Sequence, residues 1–188
     1  MRSAMEIMRR FGRDENGTIV AEAVIVLPMM LWAYLALFVY WDAFRSVNAA
    51  QKAAYTIADV ISRDPSTTGL PASYIPGLRN TMRYLIDHDQ VVKIRVTSIS
   101  WSAVDTQFKV EWSRSPDNAM VPLTTTSLQL MKSRIPNMAD GDTVVLVETE
   151  VYYKPAFNVG LTDEVFKQFI ITRPRVLPRI CLVGVVCS

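Results

Sequence analysis

Few residues of this 188-residue chain are placed to do chemistry. Glu22 stands first among them. It is the one charge in the run from Thr18 to Trp41, TIVAEAVIVLPMMLWAYLALFVYW. A carboxylate inside a membrane-spanning helix costs about 2.5–3.5 kcal/mol or more, depending on depth, so a chain that keeps one there has a use for it. The plainer reading is that Glu22, near the start of the run, snorkels to the headgroups at modest cost. Gly17 lies five residues before it, where the polar leader ends in Arg13-Asp14-Glu15-Asn16-Gly17. A glycine there is conformationally free.

The other candidates are weaker. Cys181 and Cys187, the only cysteines, fall in the last eight residues and lack metal or redox spacing. In an oxidising compartment they make a small disulfide loop, for which chain entropy gives about 2 kcal/mol; two free thiols or a bridge between subunits are the alternatives. His88, the single histidine, stands between Asp87 and Asp89, which reads as a solvated helix end better than as a metal site. Glu148 and Glu150 share one strand face and read as solvated. No G-x-S-x-G, H-E-x-x-H or paired-glycine nucleotide fingerprint occurs. The glycine spacing from Gly12 to Gly17 lacks the P-loop lysine and a preceding strand. The sequence therefore predicts no enzyme, no cofactor and no metal. A net charge of +2, scattered along the chain, also argues against nucleic-acid binding.

The elements that must carry these residues follow from hydropathy. Half the residues are hydrophobic and the mean hydropathy is +0.17, an excess concentrated in one segment. As a helix, Thr18–Trp41 is roughly 36 Å long, enough for a hydrocarbon core of about 30 Å. Trp32, Tyr34, Tyr40 and Trp41 gather in its second half, and Tyr40-Trp41 fits an interfacial belt. Pro28 removes one backbone hydrogen bond and predicts a kinked or loosened span. Arg2, Arg9, Arg10 and Arg13 before the run favour a cytoplasmic N-terminus, with the rest of the chain in the periplasm. Beyond Trp41 the helical period continues through Val47, Ala50, Ala54, Ile57 and Ile61 and stops at Asp64-Pro65.

Residues 65–77 read as a Pro/Gly/Ser-rich linker, and Leu78, Met82, Leu85 and Ile86 as a short helix ending near His88. VVKIRV (91–96) and QFKVEW (107–112) alternate as the strands of a hairpin, the second with Phe108, Val110 and Trp112 on one face. Thr143–Tyr153 reads as a third strand and Thr124–Arg134 as a short helix. The fold class expected is α+β: a leader over 1–17, a transmembrane helix over 18–41, its extramembrane continuation over 42–64, and a periplasmic domain over 65–188 with an antiparallel sheet packed on the helix.

The junction around Gly17 resembles the processing site of type IV prepilins, cut after the glycine by a membrane aspartyl peptidase. That resemblance makes Thr18 the first residue of a mature chain and Glu22 its fifth, the partner of a neighbouring subunit's terminal amine. More narrowly, RRFGRDENGTIVAEAVIVLPMML followed by VNAAQKAAYTIADVISRD resembles the TadE/TadG-like minor pilin-like proteins of the Tad (Flp) pilus system. GDTVVLVETEVYYKP and ITRPRVLPRIC are fainter echoes of the same proteins, and Ala23 departs from the aromatic that many prepilins of that system carry after the glutamate. The resemblance implies a pilin-like fold, a place in the bacterial inner membrane, incorporation into a pilus if the chain is cleaved, and as partners the membrane, a prepilin peptidase, other pilins and the assembly platform. An uncleaved bitopic assembly factor of the same machinery is the alternative.

Overall fold

The computed structural model describes all residues except 1–15, 87–89 and 186–188, and side chains from Ile19 onward. Helix α1 (Asn16–Ser62) is followed by α2 (Tyr74–Ile86), a hairpin of β1 (Val91–Ser102) and β2 (Gln107–Arg114), a single helical turn α3 (Thr125–Gln129), and strands β3 (Thr143–Tyr153) and β4 (Glu164–Thr172). The strands form one antiparallel sheet in the order β2-β1-β3-β4. The α+β class and the long apolar N-terminal helix match expectation. The chain divides into two compact units: Met1–Asp42 with Pro155–Thr162, and Ala43–Lys154 with Asp163–Ser188.

Helix α1 is continuous over 47 residues, roughly 70 Å at the standard rise, and is unbroken through Pro28. Its second half is an alanine stripe. Ala50, Ala53, Ala54, Ile57, Ala58 and Ile61 are all buried, in steps of one, three and four residues that keep them on one helical face. Four alanines among six contacts bring the helix backbone close to its neighbours. The stripe shares one core with Val92, Ile94 and Val96 of β1, Val145, Val147 and Val151 of β3, Ile170 of β4, and Ile75, Leu78 and Met82 of α2. The helix ends where Asp64 turns the chain, its carboxylate accepting from the Ser66 N–H at 2.8 Å.

The opposite face of the sheet carries a second core of Ile99, Phe108, Val144 and Leu146, roofed by Leu123, Leu128 and Ile135. One irregularity joins the two. The β1–β2 register shifts between Ser98 and Ile99, so that Ser98 pairs with Trp112 but Ile99 with Val110. This bulge turns β2 over partway along, because one extra residue reverses the side-chain alternation. Trp112 consequently enters the helix-side core while Phe108 and Val110 face the other way. The single-faced alternation expected for QFKVEW is thereby corrected.

Three further expectations change. The stretch 65–77 is not a free linker: Leu70 and Ile75 are buried, and α2 already starts at Tyr74. Pro76 is accommodated because it sits in the first turn, where backbone N–H groups have no intrahelical partner. Strand β4 was not anticipated. Its sequence EVFKQFIIT has no clean period of two, since Phe166 and Ile170 serve one core and Phe169 and Ile171 the other. The C-terminal tail, expected to be stapled apart from the core, is part of it. Ile180 and Leu182 are buried there, and the Trp112 indole N–H donates to the Ile180 carbonyl at 2.8 Å. Leu70 and Leu182 form a parallel bridge, with the Leu70 N–H on the Cys181 carbonyl at 2.9 Å and the Val183 N–H on the Leu70 carbonyl at 3.0 Å. Gly69 makes that approach possible: its φ is +94°, and a Cβ there would lie 3.1 Å from the Val183 nitrogen.

Candidate membrane-entry and assembly site

The first half of α1 is exposed and apolar on every side. From Ile19 to Leu35 no described side chain is buried. Ile25, Met29 and Leu37 are 72%, 73% and 70% exposed, and Ile19, Val24, Trp32, Tyr34 and Trp41 are all more than half exposed. Successive residues advance by 100° around a helix, so an apolar series of this length, interrupted only by Glu22, presents no polar stripe to water. Each large apolar side chain left in water forgoes about 1.5–3 kcal/mol of burial. A surface of this kind needs a cover, and the segment is long and apolar enough to cross a membrane, with a mean hydropathy of 2.2 in its most apolar window.

Glu22 is exposed within this surface. Gly17 and Thr18 lie inside the first turn of α1, which begins at Asn16. Gly17 is therefore helical, and a peptidase that binds its substrate extended has to unwind the helix there. Thr18 and Glu22 are four residues apart, one turn, and fall on the same side of the helix about 6 Å apart along the axis. Side chains of a helix lean toward its N-terminus. The leader arginines lie outside the described residues.

The remaining candidates sort differently from their sequence reading. Glu148 is not solvated. It pairs with Arg95, the cross-strand neighbour on β1, at 2.7 Å, with both side chains nearly buried at 12% and 13% exposure. The Arg95 guanidinium also donates to the Val121 carbonyl. Register makes this pair: both residues lie on the sheet face away from α1, where the roofing segment passes over them. Glu150 faces Lys167 at 3.4 Å and remains on the open part of that face. Cys181 is disulfide-bonded; Cys187, the other cysteine, and His88 lie outside the described residues. Among the described residues no cluster of three or more His, Cys, Asp or Glu could hold a metal.

Two cavities of about 280 Å³ open on the sheet-bearing unit, Ala43–Lys154 with Asp163–Ser188 (the outer unit). One, beside Arg114 and Asp117, has its acid engaged by Arg79 at 2.6 Å. The other is walled by Trp101, Phe108 and Met138 with Lys132 at the rim. Neither gathers an acid, a base and a nucleophile in reach of one another. The Tyr74 phenol is pushed up to about 12, first by burial and then by the charge of Asp64 and the hydrogen bond to it. The chain matches no protein-family model, no curated protein and no solved structure.

Proposed function

We propose that the chain is a single-pass membrane protein, with the first half of α1 in the bilayer, and that it serves as a minor pilin-like subunit of a Tad/Flp-type pilus. The observation that carries the proposal is the division of one unbroken helix into a half that is apolar and exposed all round and a half whose alanine stripe is buried in a sheet core. A soluble helix has no use for the first half, and an ordinary membrane anchor has no need of the second in the same helix. In this reading the N-terminus is cytoplasmic, the outer unit periplasmic, and the inner membrane the site of assembly. A prepilin peptidase cuts between Gly17 and Thr18, and Glu22 then pairs with the terminal amine of a neighbouring subunit, fixing the axial register of packed helices.

The second reading is an uncleaved bitopic assembly factor that meets the other pilins and the assembly platform with its leader intact. The helical first turn around Gly17 favours it, since cleavage there requires local unwinding. Intact mass and N-terminal sequence of the chain from native membranes, beside Gly17→Val, separate the two. Processing predicts a mature chain beginning at Thr18 that is lost in the variant. An intact leader in both leaves the assembly factor.

A further inference from the structure

The connection between β3 and β4 does not belong with the sheet it leaves. Pro155–Thr162 forms one compact unit with the first part of α1, up to Asp42. Among the described residues of that unit only two are buried: Val39 on the helix, at 1% exposure, and Val159 in the loop, at 8%. Val39 and Val159 are accordingly taken as the point where loop and helix meet. Val39 fixes the level of the loop, because it precedes Trp41 by two residues, about 3 Å along the axis. The loop therefore sits at the height of Tyr40 and Trp41, the aromatic end of the apolar run.

Its composition is unusual for a solvent loop. PAFNVGLT carries no charge, and Phe157 is 48% exposed beside it. The exposed large residues at this level include aromatics on both segments, Tyr40 at 45%, Trp41 at 62% and Phe157, beside Leu37 at 70%. Amphipathic and aromatic groups partition to the boundary between headgroups and acyl chains, a layer reached by elements buried about 5–10 Å.

We propose that Pro155–Thr162 is a membrane-contacting loop, seated in the headgroup layer of the bilayer that α1 crosses, with Phe157 as its apolar anchor. The inference rests on the membrane-spanning reading of α1. The occupant is a phospholipid surface of no particular charge, because the loop has no lysine or arginine with which to select anionic lipid. Val159 holds the loop to the helix, Phe157 enters the boundary, and the Asn158 amide and Thr162 hydroxyl are polar groups suited to headgroup water.

The test uses the full chain, with its disulfide intact, in phosphatidylcholine vesicles. Single free cysteines at Phe157→Cys, Ile25→Cys and Leu130→Cys are labelled with an environment-sensitive fluorophore and quenched by nitroxides fixed at two depths on the lipid. Ala156→Cys repeats the measurement with Phe157 in place. The expected result is quenching at positions 25, 156 and 157 but not at 130, with the shallow nitroxide the stronger quencher at 156 and 157, unchanged when anionic lipid is added. Quenching at 25 with none at 156 and 157 overturns the loop proposal and leaves the span standing. A blue-shifted but unquenched probe at 157 assigns the loop to protein contact and also overturns it. No quenching at 25 removes the span, and the loop proposal with it.

Discussion

Replacing Trp112 with phenylalanine tests whether the C-terminal tail belongs to the core. The indole is 5% exposed and its N–H donates to the Ile180 carbonyl at 2.8 Å, inside a cluster that also holds Leu70 and Leu182. Phenylalanine keeps the aromatic contact but removes the donor. A buried acceptor left without its partner costs about 1–3 kcal/mol. The smaller ring adds a gap whose cost is about 1 kcal/mol on the methylene scale. The sum, about 2–4 kcal/mol, lowers the melting temperature of a domain of this size by about 10 °C. Thermal unfolding of the full chain in detergent micelles, followed by near-ultraviolet circular dichroism, reads the first effect. Hydrogen exchange reads the second, since amides such as Val183, bonded to the Leu70 carbonyl at 3.0 Å, should lose protection ahead of the sheet. A variant that melts with the wild type and keeps its tail protected would refute the reasoning, and the tail would then be a surface strap.

Two further predictions concern the outer unit. Ala54→Leu places three extra carbons at a fully buried position of the alanine stripe, 0% exposed, and should cost about 1–3 kcal/mol, while Tyr55→Leu on the open side, 56% exposed, should stay within about 0.5 kcal/mol; equal melting temperatures for the two would contradict the packing of the alanine stripe. The Tyr74 phenol titrates at about 12 when folded against an ordinary 10.0, so folding favours its neutral form. Its contribution is whole below pH 10 and fades as the pH rises through 10 to 12. Denaturant titrations across that window should show Tyr74→Phe losing less stability with pH than the wild type, and parallel curves would contradict the rise that burial and Asp64 give the Tyr74 phenol.

The long elements were legible because each obeys a single period. Helix α1 is announced by an apolar run and then by residues 50, 54, 57 and 61, and β3 by its valines after the Asp140-Gly141 turn. The errors fall where one element serves two surfaces. A bulge divides β2 between two cores, and β4, which faces both, shows no period at all. The Arg95–Glu148 pair was hidden for a different reason. The strand pattern places each residue on a face, but only the register of β1 on β3 sets one opposite the other. Leu70 and the tail escaped because their burial depends on a meeting of segments more than a hundred residues apart, which no local pattern encodes. At the membrane-entry site, the lone Glu22 and its distance from Gly17 could be read directly. That the helix already includes Asn16 and Gly17 could not, because the glycine and the polar residues before it are equally compatible with a loop.

The central claim is that α1 anchors the chain in a membrane and carries the outer unit beyond it. Leu130, 88% exposed on that unit, offers a position to test both parts at once. Leu130→Cys is treated with a membrane-impermeant maleimide on intact spheroplasts, and the membranes are then extracted with alkaline carbonate. The account predicts a labelled chain that stays in the membrane pellet. A chain labelled only after lysis, or one released to the supernatant, would contradict it.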